Sequence, residues 1–140
     1  MHCIIHIDGG ARGNPGPAGA GVLIVDADTN TPLVEAGYFL GRATNNVAEY
    51  QGLLHALQNA AELEATHLDL HSDSQLMVRQ IHGQYKVKSP DLKPLHQEAI
   101  QRLKQFERWT LTHVLRDKNK RADELANMAM DTLADARVTG

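Results

Sequence analysis

Cys3 is the one cysteine in a chain of 140 residues. That excludes an intramolecular disulfide framework and any thiolate zinc cluster. Aromatic residues make up 4% of the sequence, so an apolar core has to come from leucine, isoleucine, valine and alanine. No apolar run approaches the roughly 20 residues that cross a bilayer. The opening Cys3-Ile4-Ile5 is interrupted by His6 and Asp8, too early and too polar for a signal peptide. These absences lead us to expect a soluble, cytoplasmic protein with no membrane partner; that it is a monomer is a separate expectation. What is present is 42% hydrophobic and 22% charged, enough for a single domain spanning 1–140.

Net charge is −3, which alone argues against a polyanionic partner. The distribution argues otherwise. Eleven of the 14 lysines and arginines, but only four of the 17 acids, fall between Arg79 and Arg121. Charged outer faces of amphipathic helices explain scattered cations, not their concentration in one stretch, so a surface facing a polyanion stays open.

The chain has no repeats. Cys3–Ile7, Gly21–Val25 and Leu33–Leu40 read as three hairpin-connected strands. From Asn46 the period changes, with Val47, Tyr50, Leu54, Leu57 and Ala61 on one helical face. A period-two strand follows at His67–His71, then a short helix from Ser74 to about His82. A longer helix carries Leu92, Leu95, Ala99, Leu103 and Phe106. Trp109–Leu115 makes a last strand, and a final helix runs from Asn119 to about Leu133. The fold class is therefore α/β, a five-stranded mixed sheet of three antiparallel then two parallel strands, flanked by helices. Right-handed crossovers place the fourth strand parallel to the first and beside it. Asp8 and Asp73 then leave neighbouring strands at the same edge, where open sheets bind ligands.

Four acids stand out, and each has an ordinary structural role available. Asp8 before Gly9-Gly10 can start a turn. Asn46 to Glu49 matches a capping box. Asp73 can cap the helix beginning at Ser74, and Asp123 suits the positive end of its helix. Taken together they read differently. Several carboxylates in one cleft repel unless a hard cation lies between them, and Mg²⁺ prefers oxygen ligands shared with substrate phosphates. Two such ions can bracket the attacking and leaving oxygens of a phosphodiester. The Gly-rich loop from Asp8 to Pro17 lacks both G-x-G-x-x-G and the Walker lysine, and it leads into a strand. Its glycines permit close backbone approach of a ligand.

Four segments carry a resemblance. Asp8-Gly9-Gly10-Ala11-Arg12-Gly13-Asn14-Pro15-Gly16-Pro17 resembles the opening motif of type 1 ribonuclease H. Thr44-Asn45-Asn46-Val47-Ala48-Glu49 is similar to that family's T-N-N-x-x-E, Ser72-Asp73-Ser74 to its S-D-S, and Asn119 to Ala126 to its closing N-x-x-A-D-x-L-A. The motifs come in order and span residues 1 to about 131, leaving 132–140 as a short tail. The resemblance implies an endonuclease cutting the RNA strand of an RNA/DNA hybrid with two Mg²⁺ or Mn²⁺ ions. It assigns Asp8, Glu49, Asp73 and Asp123 to catalysis and metal binding. Asn14, Asn45 and Gln75 fall at positions facing RNA, Thr44 and Asn46 at positions near the DNA strand, and Gly9, in the loop whose glycines permit close approach, is counted as substrate-binding. Lys86 and Lys88 join the substrate-binding set through the basic stretch.

The chain departs from the family pattern in three places. The catalytic strand begins at residue 1, read as the absence of a hybrid-binding domain. The segment from Gln80 to Leu92 is too short for an extra basic helix. The loop before the last helix reads Arg116-Asp117-Lys118 where many members carry a histidine, leaving His113 as the nearest substitute. No H-E-x-x-H pairing occurs, so a histidine metal site is not expected. Two rivals remain: a nuclease of the same fold acting on double-stranded RNA or RNA–DNA junctions, and a non-catalytic hybrid-binding module. The presence of all four acids disfavours the second.

Overall fold

The computed structural model describes residues 1–140. Strands β1 (His2–Ala11), β2 (Gly16–Asp26) and β3 (Pro32–Ala43) form an antiparallel meander, followed by helix α1 (Asn45–Glu62). Then come β4 (His67–Ser72), α2 (Gln75–Ile81), α3 (Lys93–Leu103), β5 (Arg108–His113), a 3-10 turn at Arg116–Lys118, α4 (Lys120–Thr132) and β6 (Ala136–Thr139). The sheet order is β5-β4-β1-β2-β3-β6. As the crossover rule requires, β4 lies parallel to β1, and β5 parallel to β4.

Three expectations need correction. The sheet has six strands rather than five, because Ala136–Thr139 in the anticipated tail pairs antiparallel with β3. Side-chain bonds that no alternation pattern shows hold it there: Thr139 donates to Glu35 at 2.6 Å, and Arg137 to the Tyr38 hydroxyl at 2.9 Å. The meander strands are also longer than their apolar cores. Gly9, Gly10 and Ala11 continue the β1–β2 ladder opposite Ala20, Gly19 and Ala18, so part of the Gly-rich loop is strand. Finally, Asn46 and Asp73 cap nothing. Thr44 is the N-cap of α1, accepting from Val47 N–H at 3.2 Å, and Ser74 caps α2, accepting from Met77 N–H at 3.2 Å. The hydroxyl one position before the helix wins in each case, which frees Glu49 and Asp73.

The two faces of the sheet are packed differently. On one, Cys3, Ile5, Ile7, Val22 and Ile24 meet Tyr50, Leu53 and Leu57 of α1 in a core completed by α2 and α3. Because α1 lies between the sheet and α3, Ala48, Leu53, Ala56 and Ala60 are buried as well as the expected stripe, while Ala61 is exposed. On the other face α4 rests on β2 and β3 through small residues. A Cβ on Gly21 would overlap the Ala122 carbonyl oxygen, so that helix and strand meet backbone to backbone.

Candidate active site

Register brings the first two carboxylates together. Ile7 faces Ser72 in the parallel β1–β4 ladder, so Asp8 and Asp73 follow at one sheet edge, on strands about 4.8 Å apart. Glu49 joins them from the second turn of α1, whose backbone passes so close to β1 that a Cβ on Gly9 would overlap the Ala48 carbonyl oxygen. The close neighbour of Gly9 is thus a helix of this chain. One carboxylate oxygen from each of Asp8, Glu49 and Asp73 lies within 4.8 Å of the others. Asp123, in the first turn of α4, faces the same cleft as Asp8. The start of α4 is fixed by Asn119, whose buried side-chain amide donates to the Ile7 carbonyl at 2.8 Å.

Burial raises the Asp8 carboxyl to about 8, helped by the negative charges of Asp73 and Asp123. Glu49 is pushed well above its ordinary range, by burial first and then by Asp8 and Asp73, against a smaller opposing bond from the Gly9 backbone. Two buried oxygens of the carboxylate cluster, Glu49 Oε2 and Asp73 Oδ2, have no hydrogen-bond partner, an arrangement native proteins rarely leave unexplained. An all-oxygen set with orphaned lone pairs fits a hard divalent cation. No such fit exists for the histidines. His2 and His6, like His67 and His71, stand four apart on strands, about 13 Å along the chain; His6 and His71 instead stack across β1 and β4.

The raised carboxyls make a prediction for the metal-free protein. A carboxyl with a raised folded-state pKa binds protons that the unfolded chain has released, so stability falls as pH rises toward about 8. His6 and His55, both lowered mainly by burial, oppose this only below roughly pH 6.5. Melting in EDTA is therefore expected to weaken between pH 6.5 and 8, and added Mg²⁺ to cancel the decline. A flat EDTA profile over that window counts against the cluster.

A cleft of about 340 Å³ opens over the carboxylates, lined by Asp8, Gly9, Asn45, Glu49 and Asp123, and also by Arg12, Arg116 and Asn127. Asn14 adjoins it. Its Oδ1 accepts from Asn45 N–H at 3.0 Å, while Asn45 Oδ1 accepts from Ala11 N–H at 2.8 Å. Both carbonyl ends are thereby engaged, and both residues are exposed, leaving their amide NH₂ groups as donors toward solvent. Gln75, exposed, opens α2 two residues from Asp73. Asn46 is exposed and Thr44 partly buried at the start of α1; Lys86 and Lys88 are exposed on the connection after α2. His113 ends β5 opposite Ser72 and does not line the cleft. Sequence reasoning missed Arg12, Asn127 and Arg116. Arg116 Nε lies 4.0 Å from Asp73 Oδ2, on a side chain 89% exposed, in the loop from which a histidine is missing.

A family model described as "Reverse transcriptase-like" matches residues 6–129. The bifunctional protein Rv2228c of Mycobacterium tuberculosis is 48% identical over 97% of this chain, which spans 37% of that protein's length. The crystal structure of RNase H1 from Halobacterium salinarum superposes with a TM-score of 0.91 at 42% identity, covering 94% of this chain and 99% of that one. LC11-RNase H1, solved in complex with an RNA/DNA hybrid, superposes at 0.87 with 41% identity, covering 94% and 98%. A ribonuclease H of a Caulobacter species is 33% identical, covering 91% of this chain and 88% of its own. With the ordered motifs, the register that pairs Asp8 with Asp73 and these whole-domain matches, the chain belongs to the type 1 ribonuclease H family.

Proposed function

We propose that the chain is an endoribonuclease hydrolysing the RNA strand of RNA/DNA hybrids, with Asp8, Glu49, Asp73 and Asp123 holding two Mg²⁺ or Mn²⁺ ions. The observation that carries this reading is the half-buried carboxylate cluster with two orphaned oxygens beside outward amide donors on Asn14 and Asn45. When bound, the ions would supply charge neutralisation at the phosphodiester and an activated water. The chain's own groups do the rest. Asp8, central to the cluster, lies beside Asp73 and Glu49 and shares the cleft with Asp123, so it would help hold the ions together with them. Glu49 and Asp73 converge on one side and Asp123 on the other. The amides of Asn14 and Asn45 are donors of the kind that a 2′-hydroxyl oxygen accepts, and that hydroxyl distinguishes RNA from DNA. In this reading Gln75 would add a further amide toward the RNA, Thr44 and Asn46 would offer polar groups to the DNA strand, and Lys86 and Lys88 would meet phosphates farther along the duplex. Arg116, whose guanidinium stands 4.0 Å from Asp73, is placed to hold negative charge at that side of the cleft.

A substrate panel tests the reading: RNA/DNA hybrid, double-stranded RNA, an RNA–DNA junction and double-stranded DNA, each with Mg²⁺, Mn²⁺ or EDTA. Metal-dependent cleavage of the RNA strand of the hybrid is expected, with the DNA duplex untouched. Failure on the hybrid with both ions overturns the proposal, and preference for the RNA duplex or the junction reassigns the substrate.

A further inference from the structure

We propose that Arg12 is a phosphate-binding residue for the RNA strand and that Asp131 holds it in reserve until substrate arrives. This rests on the hybrid-cleaving reading of the same cleft and names a contact that the reading does not supply.

Arg12 lies four residues beyond Asp8, and its side chain crosses to α4. Nη2 stands 2.6 Å from Asp131 Oδ1 and 3.0 Å from Asn127 Oδ1. These two partners are four apart in the helix, hence on one face. Asn127 also donates to the Asp123 carbonyl at 2.9 Å, so Arg12 is tied to the turn that carries a cleft carboxylate. Arg12 is among the residues that line the cleft.

The position of Asp131 is the second observation. It sits in the last turn of α4, which carries no basic residue, at the helix end where the macrodipole disfavours negative charge. Its one ion pair is with Arg12. The pair is also open to solvent, with side chains 46% and 63% exposed, and ion pairs so exposed contribute little to stability. A poorly placed acid in a weak pair makes a weak strut and an exchangeable counterion. A phosphodiester offers the guanidinium the same two-oxygen geometry as the carboxylate. A cleft dominated by carboxylates repels the strand it has to bind; Arg116 offers a cation near Asp73, and Arg12 offers one at the α4 wall.

The test is hybrid affinity of the full chain across a salt series, with Ca²⁺ in place of Mg²⁺, together with KM and kcat under Mg²⁺. Arg12→Ala is expected to weaken binding about tenfold and to lower the salt slope by roughly one phosphate contact. KM rises with kcat nearly unchanged, as for uniform binding. Arg12→Lys keeps the slope. Asp131→Asn is expected to bind about threefold tighter, and the double variant to behave like Arg12→Ala. The sign for Asp131→Asn decides between the roles, because a strut weakens binding when either partner is removed. Weaker or unchanged binding in Asp131→Asn overturns this proposal alone, provided the wild type binds and cuts hybrid. A wild type with no hybrid affinity overturns the functional reading and this proposal with it.

Discussion

Asp8→Asn is expected to lower kcat about a thousandfold, some 4 kcal/mol of transition-state stabilisation, while raising the melting temperature of the metal-free protein at pH 8. The two effects have one cause. Asp8 is 8% exposed and faces Asp73 and Asp123, so its charge is costly in the folded chain unless cations offset it. Removing the charge relieves the repulsion and removes the ligand that joins both sides of the cluster. Single-turnover cleavage and thermal melts in EDTA read the two separately. A variant that loses both activity and stability would mean that Asp8 is a structural residue. Full activity with metal still required would remove Asp8 from the metal site.

Gly21→Ala is expected to lower both stability and rate without touching any ligand. The added Cβ would overlap the Ala122 carbonyl oxygen and stand 2.8 Å from the Ala126 nitrogen, so α4 has to lift from the sheet. Overpacking of this kind costs about 3 kcal/mol, roughly 10 °C in melting temperature for a domain of this size. Asp123 moves with the helix, and a displacement near 1 Å in a catalytic constellation costs about a hundredfold in rate. Because the obstructing atoms are main chain, Ala122→Gly should not rescue the variant. Rescue by that second change would show that a side chain, not the backbone approach, sets the distance.

The acids of the cluster were legible in the sequence because their positions obey local rules. Strand alternation and crossover handedness place Asp8 beside Asp73, and the ordered motifs mark Glu49 and Asp123. What escaped depends on long-range side-chain bonds. β6 is recruited by Glu35 and Tyr38, residues about 100 positions away, with only four residues of its own. Arg12 reads as a loop residue until α4 packs alongside it and presents Asn127 and Asp131. The caps failed for a smaller reason: Asn46 and Asp73 are acceptable caps, but each lies one or two positions from a hydroxyl that fits better.

The short sixth strand has a consequence for how copies of this domain behave toward one another. Without it, β3, paired with β2 along one side, would leave the outward-facing amides and carbonyls of a 12-residue strand unpaired, a template on which another chain can assemble. β6 pairs at Glu35, Ala36 and Gly37, the middle of the apolar half of that strand. At the opposite margin β5 is six residues long and carries Arg108 at its start, the kind of short, charged edge that resists pairing. Guarding of this kind protects against self-association and leaves the cleft untouched, so colloidal behaviour and catalysis can be altered independently in this fold.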